Sequence, residues 1–219
     1  MRAAALCLLA LAAPAPPPGR VAGRVTLTVD GAARADASGV VVYVTGFHEA
    51  PPAAVPEIVQ RGRRFEPALI AITAGQEVSF PNADPFFHNV FSVSPGQRFD
   101  LGQYKRGETK TRVFREPGPV EVYCNIHPEM AATILVLPNH RFALTAADGS
   151  FAIDGVPAGV VEVYAYDRLS SAPEKKLVTV PGGGVATVDF TVAQTRRGFA
   201  HKNKYGEDYR DNRSYRSPP

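Results

Sequence analysis

Sulfur is scarce in this chain, and the scarcity is informative. Among 219 residues there are two cysteines, Cys7 and Cys124, two methionines, Met1 and Met130, and no tryptophan. Residues 1–15 read as an export signal: Arg2 supplies a short positive start, residues 3–13 are an apolar run too short for a membrane anchor, and Ala10, Ala12, Ala13 and Ala15 offer cleavage positions. Loss of that segment leaves Cys124 as the only cysteine and Met130 as the only methionine. An internal disulfide is then excluded. So are Cys-x-x-Cys zinc sites, haem attachment through Cys-x-x-Cys-His, and binuclear copper loops with two cysteines. A lone thiol in an oxidising compartment is a liability unless it is buried, cross-linked to a partner or bound to a metal.

Long apolar runs and charge of one sign are lacking as well. Beyond residues 3–13 no stretch approaches membrane-spanning length, so the mature chain is expected to have no transmembrane span and to be periplasmic or secreted. The formal net charge is +3, and residues 194–219 hold seven Lys or Arg against three Asp or Glu. The body is therefore slightly acidic, which excludes nucleic acid as a partner on charge. The tail interleaves its basic residues with Phe199, Tyr205, Tyr209 and Tyr215 and is expected to be disordered, the alternative being docking on an acidic partner or an anionic surface.

What the chain does have is turn chemistry and β-formers. Glycine (19) and proline (20) punctuate short bursts of Val, Thr, Phe and Tyr, which predicts an all-β protein. Strands are expected at residues 23–29 and 39–45, then at 68–73, 77–80, 88–94, 109–114, 120–123 and 131–137, and finally at 141–145, 150–153, 160–165, 176–180 and 185–192. The middle series suits an antiparallel sandwich. The last series is short for an independent domain, and the two strands before the proline-rich residues 49–56 could complete it.

Chemistry concentrates on one predicted inter-strand loop. Cys124-Asn125-Ile126-His127-Pro128-Glu129-Met130 follows the strand at 120–123, and His88, in Phe87-His88-Asn89-Val90, is brought to it by strand pairing. A thiolate, two imidazoles and a thioether form a soft donor set suited to one trigonal copper ion with a weak axial sulfur, giving His88, Cys124, His127 and Met130 as candidate ligands. Zinc has no need of the thioether.

On these residues the segment resembles the cupredoxins, the type 1 blue-copper electron carriers. Cys124-x-x-His127-x-x-Met130 is most similar to the short loop of amicyanin, and His88-Asn89-Val90 matches the His-Asn-Val of plastocyanin and amicyanin. The resemblance implies a Greek-key sandwich over residues 57–138, one copper ion, and single-electron transfer between redox proteins such as a c-type cytochrome or an amine-oxidising dehydrogenase. It implies no enzymatic activity, since His48, His140 and His201 are isolated in sequence and supply no His-x-His pair of the kind the related oxidases and nitrite reductases use. In the family the asparagine after the first histidine can bond to the residue after the cysteine; those positions here are Asn89 and Asn125. The loop histidine of the family breaks surface in an apolar patch, which makes His127, Pro128 and Phe86 the expected electron port.

Residues 21–46 plus 139–193 resemble a second family, the carboxypeptidase regulatory-like, transthyretin-type sandwich. The resemblance rests on Val-Val-Tyr-Val, Ala147-Asp148-Gly149-Ser150-Phe151 and Val156-Pro157-Ala158-Gly159. The cupredoxin segment would be inserted into this smaller sandwich or packed beside it. Two other functions fit the residues: a copper chaperone or storage module that does not cycle, and a metal-free β-sandwich interaction protein.

Overall fold

A computed structural model describes residues 14–195 and 201–209. The expected signal segment falls almost wholly on residues 1–13, outside the described residues, as do residues 196–200 and 210–219 of the tail. The described residues are all-β, with eighteen strands, and include no helix long and apolar enough to cross a membrane.

The strands build two sandwiches around separate cores. In the central one, a five-stranded sheet runs in the order Leu69–Thr73, Ala131–Leu137, Gly118–Tyr123, His88–Ser92, Phe99–Tyr104. The antiparallel pair Gln76–Pro81 and Thr109–Phe114 packs across it, and Val78, Phe80, Phe114, Val90, Val120, Val122 and Ile134 fill the space between. In the outer sandwich, Gly19–Val29 pairs with Ser150–Val156 on one side and with Val185–Thr187 and Phe190–Gln194 on the other. A sheet of Phe142–Leu144, Val41–Thr45, Gly159–Tyr166 and Glu174–Val180 faces it over a core rich in valine. The segments before residue 46 and after 139 thus share one core, and residues 58–136 fill the other.

Two strands join the cores, and their sequences show why they can. Val41–Thr45 sends Val42 and Val44 into the outer core and Val41 and Tyr43 into the seam between sandwiches. Ala131–Leu137 sends Ala132, Ile134 and Val136 inward and Leu135 and Leu137 into the same seam. Near-continuous apolar runs of this kind, broken only by Thr133 within Ala131–Leu137, belong to strands covered on both faces. Tyr43 stacks on Tyr164 with ring centroids 5.0 Å apart. One polar knot lies beside the seam: Thr133 donates to Glu121, and Arg168 Nε donates to Thr133 Oγ1 at 3.0 Å.

Four expectations need correction. The middle series is not wholly antiparallel, since Leu69–Thr73 lies parallel to Ala131–Leu137. The single strand at 185–192 is two strands, because the chain crosses Gly23 at Val188 and Asp189, where Val188 N–H donates to the Ala22 carbonyl and the Asp189 carboxylate accepts from Arg24 N–H. A side chain at Gly23 would strike the Val188 carbonyl, so only glycine admits this crossing. The edge strand Phe99–Tyr104 was not expected; Gly102 sits at φ 69° within it and breaks the alternation that marks a strand. Finally, residues 201–209 of the tail, expected to be disordered, pack on the central sandwich.

Leu135 is 4% exposed and bears on the seam alone, so Leu135→Ala should cost about 2–5 kcal/mol of stability by urea denaturation. A loss below about 1 kcal/mol would show that the two sheets do not support each other there.

Candidate metal centre

The sheet order brings the candidate ligands to one end of the central sandwich. Gly118–Tyr123 lies antiparallel to His88–Ser92, with Tyr123 opposite Phe91, so the cysteine that ends one strand sits beside the first residues of the other. Cys124 Sγ is 3.8 Å from His88 Nδ1 and 3.9 Å from His127 Nδ1, and the two Nδ1 atoms are 3.1 Å apart. Cys124 and His88 are fully buried, and His127 is 8% exposed. Among the described residues this is the one cluster of three His, Cys, Asp or Glu side chains whose donor atoms converge within 4.8 Å.

Each donor is held by a named contact. The loop closes on itself: Cys124 N–H donates to the Met130 carbonyl at 3.3 Å, and Met130 N–H donates to the His127 carbonyl at 3.1 Å. The Ile126 amide lies 3.4 Å from the cysteine sulfur. Asn89 staples the two strands, accepting from Asn125 N–H at 3.3 Å while its amide donates to Asp100 at 2.6 Å. The acceptor meets a backbone N–H, so the side chain at 125 is free for other use: its oxygen accepts from Lys204 N–H. Met130 is fully buried in the central core beside Cys124.

Asp84 was not among the expected site residues, and it sets the state of His88. Its Oδ2 lies 2.7 Å from His88 Nε2. A carboxylate only accepts, so Nε2 carries the proton, and in the neutral ring the Nδ1 lone pair points toward Cys124 and His127. Burial opposes charge on Asp84, yet the N–H groups of Arg63 and Gly62 and the bond to His88 hold it below the usual carboxylate range. Those two N–H groups converge because Gly62 and Arg63 both take left-handed backbone angles, φ 59° and 58°. Asp-x-x-x-His is too common a spacing to mark this pair in sequence; the signal lies in the backbone of a distant loop.

Burial dominates the electrostatics of the pocket. Burial pushes the Cys124 thiol up, against the opposing backbone hydrogen bonds. Burial, and then the neighbouring His88, push the His127 imidazole down. Two ring nitrogens and one sulfur thus converge on one point.

The donor set fits a soft first-row cation. With bonds of about 2.0 Å to nitrogen and about 2.3 Å to sulfur, S···N separations come to about 3.5 Å at tetrahedral angles and about 3.7 Å at 120°, and N···N separations to about 3.3 and about 3.5 Å. The observed S···N separations of 3.8 and 3.9 Å lie on the wide side and the N···N separation of 3.1 Å on the narrow side, which together make a flat, unequal triangle of donors.

The expected port differs from the structure in one respect. His127 does not break surface freely: Phe86 covers it at a centroid distance of 5.5 Å, with Arg63 over the outer face of that ring. Pro128 and Phe87 are exposed. His48 and His140 lie away from this cluster, His140 pairing with Glu49 at 3.1 Å. His201 does not: its Nε2 meets the Pro128 carbonyl at 3.0 Å, and its ring stacks on Tyr123.

No protein-family model matches the chain. Solved structures similar to part of it include a purple cupredoxin from Nitrosopumilus maritimus, at 24% identity over 37% of this chain and 98% of that one, TM-score 0.35. A copper-containing nitrite reductase from Thermus scotoductus matches at 25% identity over 43% of this chain but 25% of its own, TM-score 0.37. A reduced amicyanin variant matches at 18% identity over 43% and 97% respectively, TM-score 0.36.

Asp84→Asn should weaken Cu(I) affinity about 10- to 100-fold in competition with a chromophoric chelator, because the proton on His88 is no longer directed to Nε2. An unchanged affinity would show that Asp84 does not orient the ring.

Proposed function

We propose that the protein is an exported type 1 copper protein that passes single electrons between redox partners, with copper held by His88, Cys124 and His127 and, axially, by Met130. The observation that carries this reading is the convergence of one cysteine sulfur and two imidazole nitrogens at 3.1–3.9 Å in a buried pocket. Copper supplies a one-electron couple that this donor set accepts in both oxidation states, thiolate favouring the reduced ion and imidazole serving either.

The residues around the donors favour cycling without rearrangement. Cys124 is anchored to a sheet strand, His88 by Asp84, and the His127–Met130 turn by its own backbone hydrogen bonds, so the cage is set before metal arrives. A chaperone needs ligands that a partner can take over; here all three donors are buried, which favours the carrier. A thioether in the remaining direction would close the site to substrate, which favours a carrier over an enzyme.

On this reading the partners are redox proteins, such as a c-type cytochrome or an amine-oxidising dehydrogenase, docking near Phe86, Pro128 and the edge of His127. The compartment is the periplasm or exterior, where the lone thiol is protected by the metal. Residues 57–138 are the cupredoxin domain, and residues 21–46 plus 139–193 are a carboxypeptidase regulatory-like sandwich that carries it.

Cu(II) added to the metal-free protein should give an intense blue absorption that a mild reductant bleaches reversibly, and Cys124→Ala should abolish it. Met130→Leu should keep the colour and raise the reduction potential, since an axial donor to the oxidised ion is lost. Colourless binding, or no binding, would overturn the carrier reading in favour of a chaperone or a metal-free module.

A further inference from the structure

Residues 201–209 lie directly over the ligand loop, and their own sequence shapes them for that place. Asn203 organises a turn: its side-chain oxygen accepts from the N–H groups of Tyr205 and Glu207, Asn203 N–H donates to the Glu207 carbonyl, and Gly206 takes φ 83°. The turn sends the chain back, so His201 and Tyr209 stand edge to face with ring centroids 5.2 Å apart.

Both of these side chains, and the turn between them, then engage the loop. Tyr209 donates its hydroxyl to the carbonyl of Cys124 at 2.7 Å. His201 donates Nε2–H to the carbonyl of Pro128 at 3.0 Å and stacks on Tyr123 at 3.8 Å, with the rings 18° from parallel. Lys204 donates its N–H to the Asn125 side chain at 3.0 Å and pairs its ammonium with Asp100 at 2.7 Å. Asp100 is the residue that also accepts from Asn89, so the strap is tied to the staple between the ligand strands.

We propose that residues 201–209 are a strap docked in cis on the ligand loop, and that the face beneath it, formed by Tyr123, Asn125, Pro128 and Asp100, is a docking surface for basic, aromatic protein segments. The face offers what such a segment needs: an aromatic platform, a carboxylate and outward-facing backbone carbonyls. Tethering keeps the strap at a high effective concentration, so a partner reaching the centre from this side must displace it. That competition rests on the carrier reading; the docked strap does not.

The test compares the full-length chain with its full-length variant His201→Ala/Tyr209→Phe, both metal-free. Hydrogen exchange at the amides of Asn125, Ile126, His127, Glu129 and Met130 should quicken at least tenfold in the variant, with an unchanged melting temperature; equal rates would overturn the strap. Should the double variant melt early, Tyr209→Phe alone, which removes one hydroxyl, is measured for the same acceleration. With copper bound, the variant should exchange electrons severalfold faster with a lysine-rich c-type cytochrome and at the same rate with hexacyanoferrate. Quickened hydrogen exchange in a protein that takes up no blue copper would retain the strap and discard the carrier. Blue protein with equal cytochrome rates would retain the carrier and discard the competition.

Discussion

The candidate metal centre depends on one constraint: two ring nitrogens and a cysteine sulfur are held toward a common point inside a core. Bringing unpaired donors together without water is unfavourable unless each group's other contacts are made and a cation answers the lone pairs. His88 and Cys124 have theirs: Asp84 accepts from His88 Nε2–H and the Ile126 amide faces the cysteine sulfur, while Met130 N–H bonds the His127 carbonyl and fixes the turn that carries the third donor. What is left is the centre itself, where metal entry displaces the thiol proton.

That constraint explains features remote from it. His88 needs a buried carboxylate behind it, and a buried carboxylate needs donors of its own, which the left-handed pair Gly62 and Arg63 provides. The two ligand strands must not drift, and Asn89 ties them at the level of the site while the sheet ties them below. The strand that follows the ligand loop, Ala131–Leu137, is buried on both faces, so the loop's exit is fixed between two cores. Stability of the outer sandwich is thereby coupled to the placement of Met130, one residue before that strand begins.

Much of the fold was legible because these strands announce themselves by composition. Residues 109–114 and 131–137 read from the sequence with the observed bounds, since β-branched runs there end at clear turn residues. The joining strand at 41–45 was visible as a dense Val-Val-Tyr-Val run. Less legible were elements defined by backbone rather than side chain: the break at Val188 and Asp189 follows from a close approach to Gly23, and Gly102 conceals an edge strand. The loop spacing and His88 pointed to the cluster because scarcity makes Cys124 and Met130 conspicuous. Asp84 could not be read, as its role depends on a loop some twenty residues away, and neither could the strap, whose basic and aromatic composition suits a solvated tail until Asn203 and Gly206 fold it back.

The central claim is that one sulfur and two ring nitrogens bind a single copper ion, and X-ray absorption at the copper edge tests it most directly. The protein loaded with one equivalent should show one short copper–sulfur distance and two imidazole nitrogens in both oxidation states, with little change between them. A shell of nitrogen and oxygen alone, or a coordination number that changes on reduction, would contradict the account.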